Sequence, residues 1–211
     1  MSYVDAFFNR EADQIQVVER REDGKRHYTE YPVRYTFYYG DQRGKYKSIY
    51  GDPLNKITCK NTKDFRKELA INKNKDLYES DINPIFQCLS TNYLNHDAPK
   101  LNVAFFDIET DFDPERGFAD PADPFMPITA ISVHLQWMDT LVTLAVPPKG
   151  LTIEEAKEQC KDFPNTHLFS DEADMLKTFL DLIEDSDVLT GWNSEGYDIP
   201  YTVNRVARVL S

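Results

Sequence analysis

Apolar and polar residues alternate along Tyr3–Phe8 and again along Gln14–Arg20, a period of two that predicts strands. Ile15 and Val17 then share one face of the second strand. Asp23-Gly24 sits between that run and the next strand-like run, which predicts a hairpin turn. The following stretch, RHYTEYPVRYTFYYG, is rich in Tyr and Thr, and Pro32 marks an edge or a bend. In TKDFRKELAINKN the period changes: Thr62 can cap a helix on which Phe65 and Leu69 meet at i, i+4. LYESDINPIFQCLSTNYL shows only short, ill-defined elements. The polar NHDAPK, residues 95–100, reads as a domain junction.

The pattern is sharper beyond the junction. Leu101–Thr110 predicts a buried strand, and a Pro-rich acidic loop follows from Asp111 to Pro127. ITAISVHLQW and TLVTLAV predict two strands joined through Met138-Asp139. A helix over Thr152–Lys161 carries Glu154 and Glu155 in its first turn, where the helix dipole favours acids. THLF is a short strand. Ser170 opens a second helix with an apolar stripe at Leu176, Phe179, Leu180 and Ile183. DVLTGW is a strand, and Pro200 lies in the first turn of a last helix running through Tyr201–Leu210. This order predicts an α/β (α+β) chain: a β-rich domain over 1–100, then a mixed sheet with helices on its faces over 101–211.

Composition changes that picture in one respect. The 211 residues carry a net charge of -12. Residues 1–100 hold 17 Lys and Arg against 15 Asp and Glu, whereas residues 101–211 hold 7 against 21. Two readings fit so acidic a second half: an ordinary solvated surface, or carboxylates gathered to hold cations. No apolar run approaches the roughly 18 residues of a membrane span, and the N-terminus lacks the basic and apolar regions of a secretory signal. Cys59, Cys88 and Cys160 form no C-x-x-C pair, which suits a reducing cytosol better than a disulfide framework or a zinc site.

The candidate chemistry begins at the end of the strand AFFDIET. Side chains at i and i+2 share a face, so Asp107 and Glu109 project together while Phe106 and Ile108 turn into the packing. Two carboxylates roughly 7 Å apart repel by about 2–3 kcal/mol at an effective dielectric near 20. A divalent cation between them reverses the sign, and Mg²⁺ suits a few carboxylates plus water and phosphate oxygens. The bland alternative is a solvated strand end. A second D-x-E, Asp113-Pro-Glu115, lies in the loop and reads as surface. The other constellation is LTGWNSEGYDIPY, residues 189–201. Its bland readings are a turn for Asn193, core packing for Trp192 and Tyr197, and a helix N-cap for Asp198.

Taken together, FDIET and GWNSEGYDIPY resemble the first and second exonuclease motifs of family B DNA polymerases, in wording similar to those of tailed phages like T4. Pro127–Ile131 resembles the family's next strand. The resemblance implies a ribonuclease-H-like 3′→5′ exonuclease domain preceded by the family's β-rich N-terminal domain. It implies Asp107, Glu109 and Asp198 as catalytic carboxylates that hold two Mg²⁺ or Mn²⁺ ions. Asn193 and Tyr197 would lie against substrate, and Phe118 would stack on the 3′-terminal base. The implied partners are a single-stranded DNA 3′ end and the rest of a polymerase chain, in a host-cell cytoplasm and without a membrane. The family's third motif, Tyr-x-x-x-Asp, does not occur within these residues after the second. The expectation is therefore an incomplete exonuclease domain with weak metal binding and little hydrolysis on its own. A non-enzymatic piece that binds nucleic acid or a polymerase stays open as an alternative, as does an unrelated protein with a chance pair of motifs.

Overall fold

The computed structural model describes residues 2–211. The chain forms two compact units, dividing after Lys100.

In the first unit, strands β1 (Ser2–Asn9), β2 (Gln14–Arg20) and β3 (Arg26–Pro32) make an antiparallel sheet in that order. The β2–β3 turn contains Gly24 at φ +73°, a conformation that costs glycine nothing. Ile15 and Val17 are fully buried, as their period requires. Pro32 ends β3, an edge strand, where its missing N–H breaks no ladder. A second sheet has the order β5 (Tyr46–Lys47), β6 (Pro53–Cys59), β4 (Tyr35–Gly40), β7 (Leu77–Tyr78). Helix α1 spans Thr62–Asn72. Its cap is Asn61, whose side chain accepts from the Asp64 N–H, so the cap lies one residue before the predicted Thr62. The Thr62 hydroxyl instead meets the Tyr35 hydroxyl at 2.8 Å. The ill-defined segment resolves into β7 and helix α2, Pro84–Tyr93, with Asn83 as cap and Pro84 at its start. The buried Tyr93 hydroxyl donates to Glu19 on β2 at 2.5 Å and so ties α2 to the first sheet.

The second unit is a five-stranded mixed sheet of order β11 (Thr166–Leu168), β10 (Thr140–Ala145), β9 (Ile128–Leu135), β8 (Val103–Thr110), β12 (Val188–Thr190). Strands β8, β9 and β10 form an antiparallel trio, while β12 lies parallel to β8 and β11 parallel to β10. The β9–β10 connection is a short 3-10 turn, Gln136–Met138, followed by Asp139 in the left-handed region. The helices of this unit are α3 (Ile153–Gln159), α4 (Glu172–Ile183) and α5 (Asp198–Leu210). Thr152 and Glu155 form a reciprocal capping box at the start of α3. For α4 the cap is Asp171 rather than Ser170.

The core of this unit joins Phe106 and Ile108 of β8 to Ile131 and Val133 of β9, to Met175, Leu176 and Phe179 of α4, and to Tyr201 of α5. The stripe on α4 needs one correction. Leu180 is 39% exposed, and Met175 takes its place in the core. Met175 stands i, i+4 from Phe179, so the buried face is rotated back from the predicted one.

Candidate active site

Strand β8 delivers its acids as the two-residue period demands. Asp107 and Glu109 are exposed, and Phe106 and Ile108, before and between them, are buried. Phe105, also exposed, shares the acids' face and stacks on His134 of β9. The pairing with β9 sets Asp107 opposite Ser132 and Glu109 opposite Ala130, then slips at a bulge between Glu109 and Thr110. A bulge twists a strand and re-aims the residues beyond it. Here it marks where the strand gives way to the acidic loop.

The third acid arrives through the parallel neighbour. Thr190, the last residue of β12, lies beside Phe105. The chain leaving β12 therefore passes along the Phe106–Ile108 stretch of β8. Gly191 makes the turn, and a Cβ there would collide with the Phe106 carbonyl. Asn193 takes a left-handed conformation, φ +54°, which Asn tolerates better than most residues. Its carbonyl accepts from the Gly196 and Tyr197 N–H groups, both at 3.0 Å. The turn hands over to α5, whose first residue is Asp198.

Asp198 is not the N-cap that its position suggests. Tyr197 occupies that place, without a side-chain cap bond. Asp198 is 4% exposed and its Oδ1 accepts from the Ile108 N–H at 3.2 Å. The Ile108 peptide lies between Asp107 and Glu109 in the chain, so this bond brings the third carboxylate to the acidic end of β8. Burial pushes the Asp198 carboxyl above the usual aspartate range, and the charge of Asp107 adds to the rise. The Ile108 N–H works the other way, because it favours the charged form.

Tyr197 is half-buried and packs against Tyr201, ring centres 5.3 Å apart. Trp192 departs from its bland reading: it is 92% exposed and outside the core. Phe118 is 71% exposed in the loop, 5.0 Å from the ring of Phe112, an aromatic partner that sequence pattern alone did not single out. Asp113 is a loop acid. Its Oδ1 accepts from the Glu115 and Arg116 N–H groups, each at 2.8 Å, and these bonds hold its carboxyl below the usual range.

The ion pair between Glu172 and Arg205 also escaped sequence reasoning. Glu172 looks like an ordinary acid in a first helical turn. It accepts from the Ile128 N–H at 2.7 Å and takes a forked bond from Arg205 at 2.8 and 2.6 Å. The only sequence signal was an acid and a base on two neighbouring helices.

The donor set is all hard carboxylate oxygen, which fits Mg²⁺ or Mn²⁺ and not zinc. Among the described residues, however, no group of three or more His, Cys, Asp or Glu stands close enough to hold an ion. Asp107, Glu109 and Asp198 lie at one end of β8 without converging to ligating distance.

A mixed five-stranded sheet, with an antiparallel trio, a parallel strand beside the first and acids at that first strand's end, is a ribonuclease-H-like exonuclease architecture. The chain belongs to DNA polymerase family B through its exonuclease domain, whose pattern matches residues 53–210. The match begins at β6 and so includes the last part of the first unit. The chain is 28% identical over 194 residues to the DNA-directed DNA polymerase of Escherichia phage RB69, covering 80% of this chain and 21% of that protein. It is 46% identical over 44 residues to the DNA-directed DNA polymerase of Enterobacteria phage T4, covering 20% of this chain and 5% of that protein. The chain thus spans about a fifth of the length of the longer-matching curated relative.

Proposed function

We propose that this chain supplies the proofreading 3′→5′ exonuclease of a DNA-directed DNA polymerase, acting on the single-stranded 3′ end of DNA. Residues 1–100 serve as the polymerase's N-terminal domain and residues 101–211 as its exonuclease domain. The rest of the polymerase is its protein partner, and the cytoplasm of a host cell is its setting. No helix among the described residues is long and apolar enough to cross a membrane. The observation that carries this reading is the bond from Ile108 to Asp198, which joins the second motif to the acids of the first across 90 residues of sequence.

Asp107, Glu109 and Asp198 would hold the Mg²⁺ or Mn²⁺ ions. Bound there, divalent cations supply the positive charge that phosphodiester hydrolysis needs. The chain's own residues do the rest. Asp107 and Glu109, exposed on one face of β8, are open to substrate and water. Asp198, fixed to the strand backbone, sets the depth of the cluster. Asn193 and Tyr197 form the turn beside it, within reach of a substrate phosphate. Phe118 offers a stacking surface for the terminal base.

A Mn²⁺ titration in the presence of single-stranded DNA tests this, on the native chain and on the double variant Asp107→Ala/Glu109→Ala. The native chain should show a weak, saturable Mn²⁺-dependent signal, since its acids do not yet converge. The double variant should show none. Superimposable titrations would remove the metal site, and the exonuclease reading with it.

A further inference from the structure

Helix α5 acts at both of its ends. Its first residue, Asp198, is held to β8. Further along, Tyr201, Asn204, Arg205 and Arg208 recur at i, i+3, i+4 and i+7, the spacing of one helix face. All four reach the second half of the acidic loop. The Tyr201 hydroxyl donates to the Met126 carbonyl at 2.8 Å, and Asn204 Nδ2 donates to the Pro121 carbonyl at 2.8 Å. Arg205 Nη1 donates to the Pro124 carbonyl at 2.9 Å, and Arg208 Nη1 meets Asp123 Oδ1 at 3.0 Å. Arg205 is gripped from behind by Glu172, and Glu172 in turn holds the Ile128 N–H just past the loop. From the loop's side, Arg116 lies 3.5 Å over the ring of Phe125. The base of the loop is closed by the Asp111 N–H on the Pro127 carbonyl at 3.0 Å.

The side chains of Arg205 and Glu172 are each only 12% exposed. Taking two charges out of water is costly unless geometry and extra hydrogen bonds compensate. Here the extra bonds go to loop backbone, so the ion pair's main structural product is a loop held in one place. That loop carries Phe112 and Phe118 and starts where the strand of Asp107 and Glu109 ends.

We propose that Arg205 is a positioning residue for substrate: locked by Glu172, it holds the loop of residues 111–127 so that the Phe112–Phe118 pair is a preformed stacking surface, on the helix that also fixes Asp198. This rests on the exonuclease reading above. Preorganisation lowers the ordering cost of binding and leaves the acids untouched. Arg205 therefore governs affinity for the DNA end rather than affinity for metal.

The test is binding of a single-stranded oligonucleotide with 2-aminopurine as its 3′-terminal base, read by fluorescence quenching in EDTA so that no cleavage intrudes. The native chain should quench the base by stacking. Phe118→Ala should weaken binding roughly ten-fold, the order expected for one lost base stack. Arg205→Met should weaken it similarly, Arg205→Lys less, and Arg205→Met/Phe118→Ala no more than either single change, because the two act through one surface. A Mn²⁺ titration of Arg205→Met without DNA should match that of the native chain, which a general loss of structure would not allow. Native-like quenching by Arg205→Met, or full additivity in the double variant, overturns the inference. Absence of quenching by the native chain overturns the exonuclease reading together with it. Should Arg205→Met lose its circular-dichroism spectrum, Asn204→Ala/Arg208→Ala replaces it: both positions are exposed, and a roughly three-fold loss of affinity is expected. No change in that variant overturns the inference equally.

Discussion

Asp198 shows how a buried charge can be costly to the fold. Its carboxylate is buried, and burial together with Asp107 raises its proton affinity. Asparagine would keep an oxygen for the Ile108 N–H and lose the charge. In EDTA at pH 7, Asp198→Asn should therefore be more stable than the native chain, by about 1 kcal/mol. The sign with pH comes from the raised native value. Below the usual aspartate range, about pH 4, the carboxyl is protonated whether the chain is folded or not, and the penalty is absent. As pH rises through the raised native value, the folded state must give up that proton against burial, and the native chain loses ground. Urea midpoints at pH 3 and pH 7 check this. Equal midpoints for the two proteins at pH 7 would show that the buried charge costs nothing.

Among the elements, α4 separates what period predicts from what packing decides. Phe179 is fully buried, 5.4 Å from the ring of Phe106, whereas its neighbour Leu180 is part-exposed. Phe179→Ala should cost about 3–5 kcal/mol and Leu180→Ala less than about 1 kcal/mol. Chemical denaturation measures both, and similar losses would restore the predicted stripe. The sequence period correctly implied a helix here, but a stripe of apolar residues fits two rotations, and Met175 decided between them. Strand β8 was legible to the side chain, because a period of two leaves only two choices of face. The loop clamp was illegible for the opposite reason. Asn204, Arg205 and Arg208 look like a solvated helix face, and their targets are mostly backbone carbonyls that no residue type announces. Trp192 misled differently: a large aromatic between a strand and a helix suggests burial, yet the tight turn at Gly191 leaves it in water.

Across the whole molecule the two units differ most in charge. The first is near neutral and the second strongly acidic, with 21 Asp and Glu against 7 Lys and Arg. Self-repulsion within the second unit weakens its compact state and is screened by salt. Raising NaCl from about 20 to about 200 mM, where the Debye length falls below ~10 Å, should slow amide hydrogen exchange in β8, β9 and α4 more than in β2 and β4. An equal response in both units would mean that the acids of the second are already neutralised within the fold. The same excess of negative charge gives this unit little electrostatic grip on a polyanion such as DNA.

The hydrogen bond between Ile108 and Asp198 spans 90 residues, close to the full length of its unit. Closing a loop of that size costs about 4 kcal/mol in chain entropy beyond a constant. It must be met before the third carboxylate can stand beside the first two. The acids of β8 are made before Asp198. Until α5 docks, the strand presents its pair of negative charges without Asp198 beside them. Contact order thus makes the junction between Ile108 and Asp198 a late contact of this unit, and one that is lost when α5 undocks.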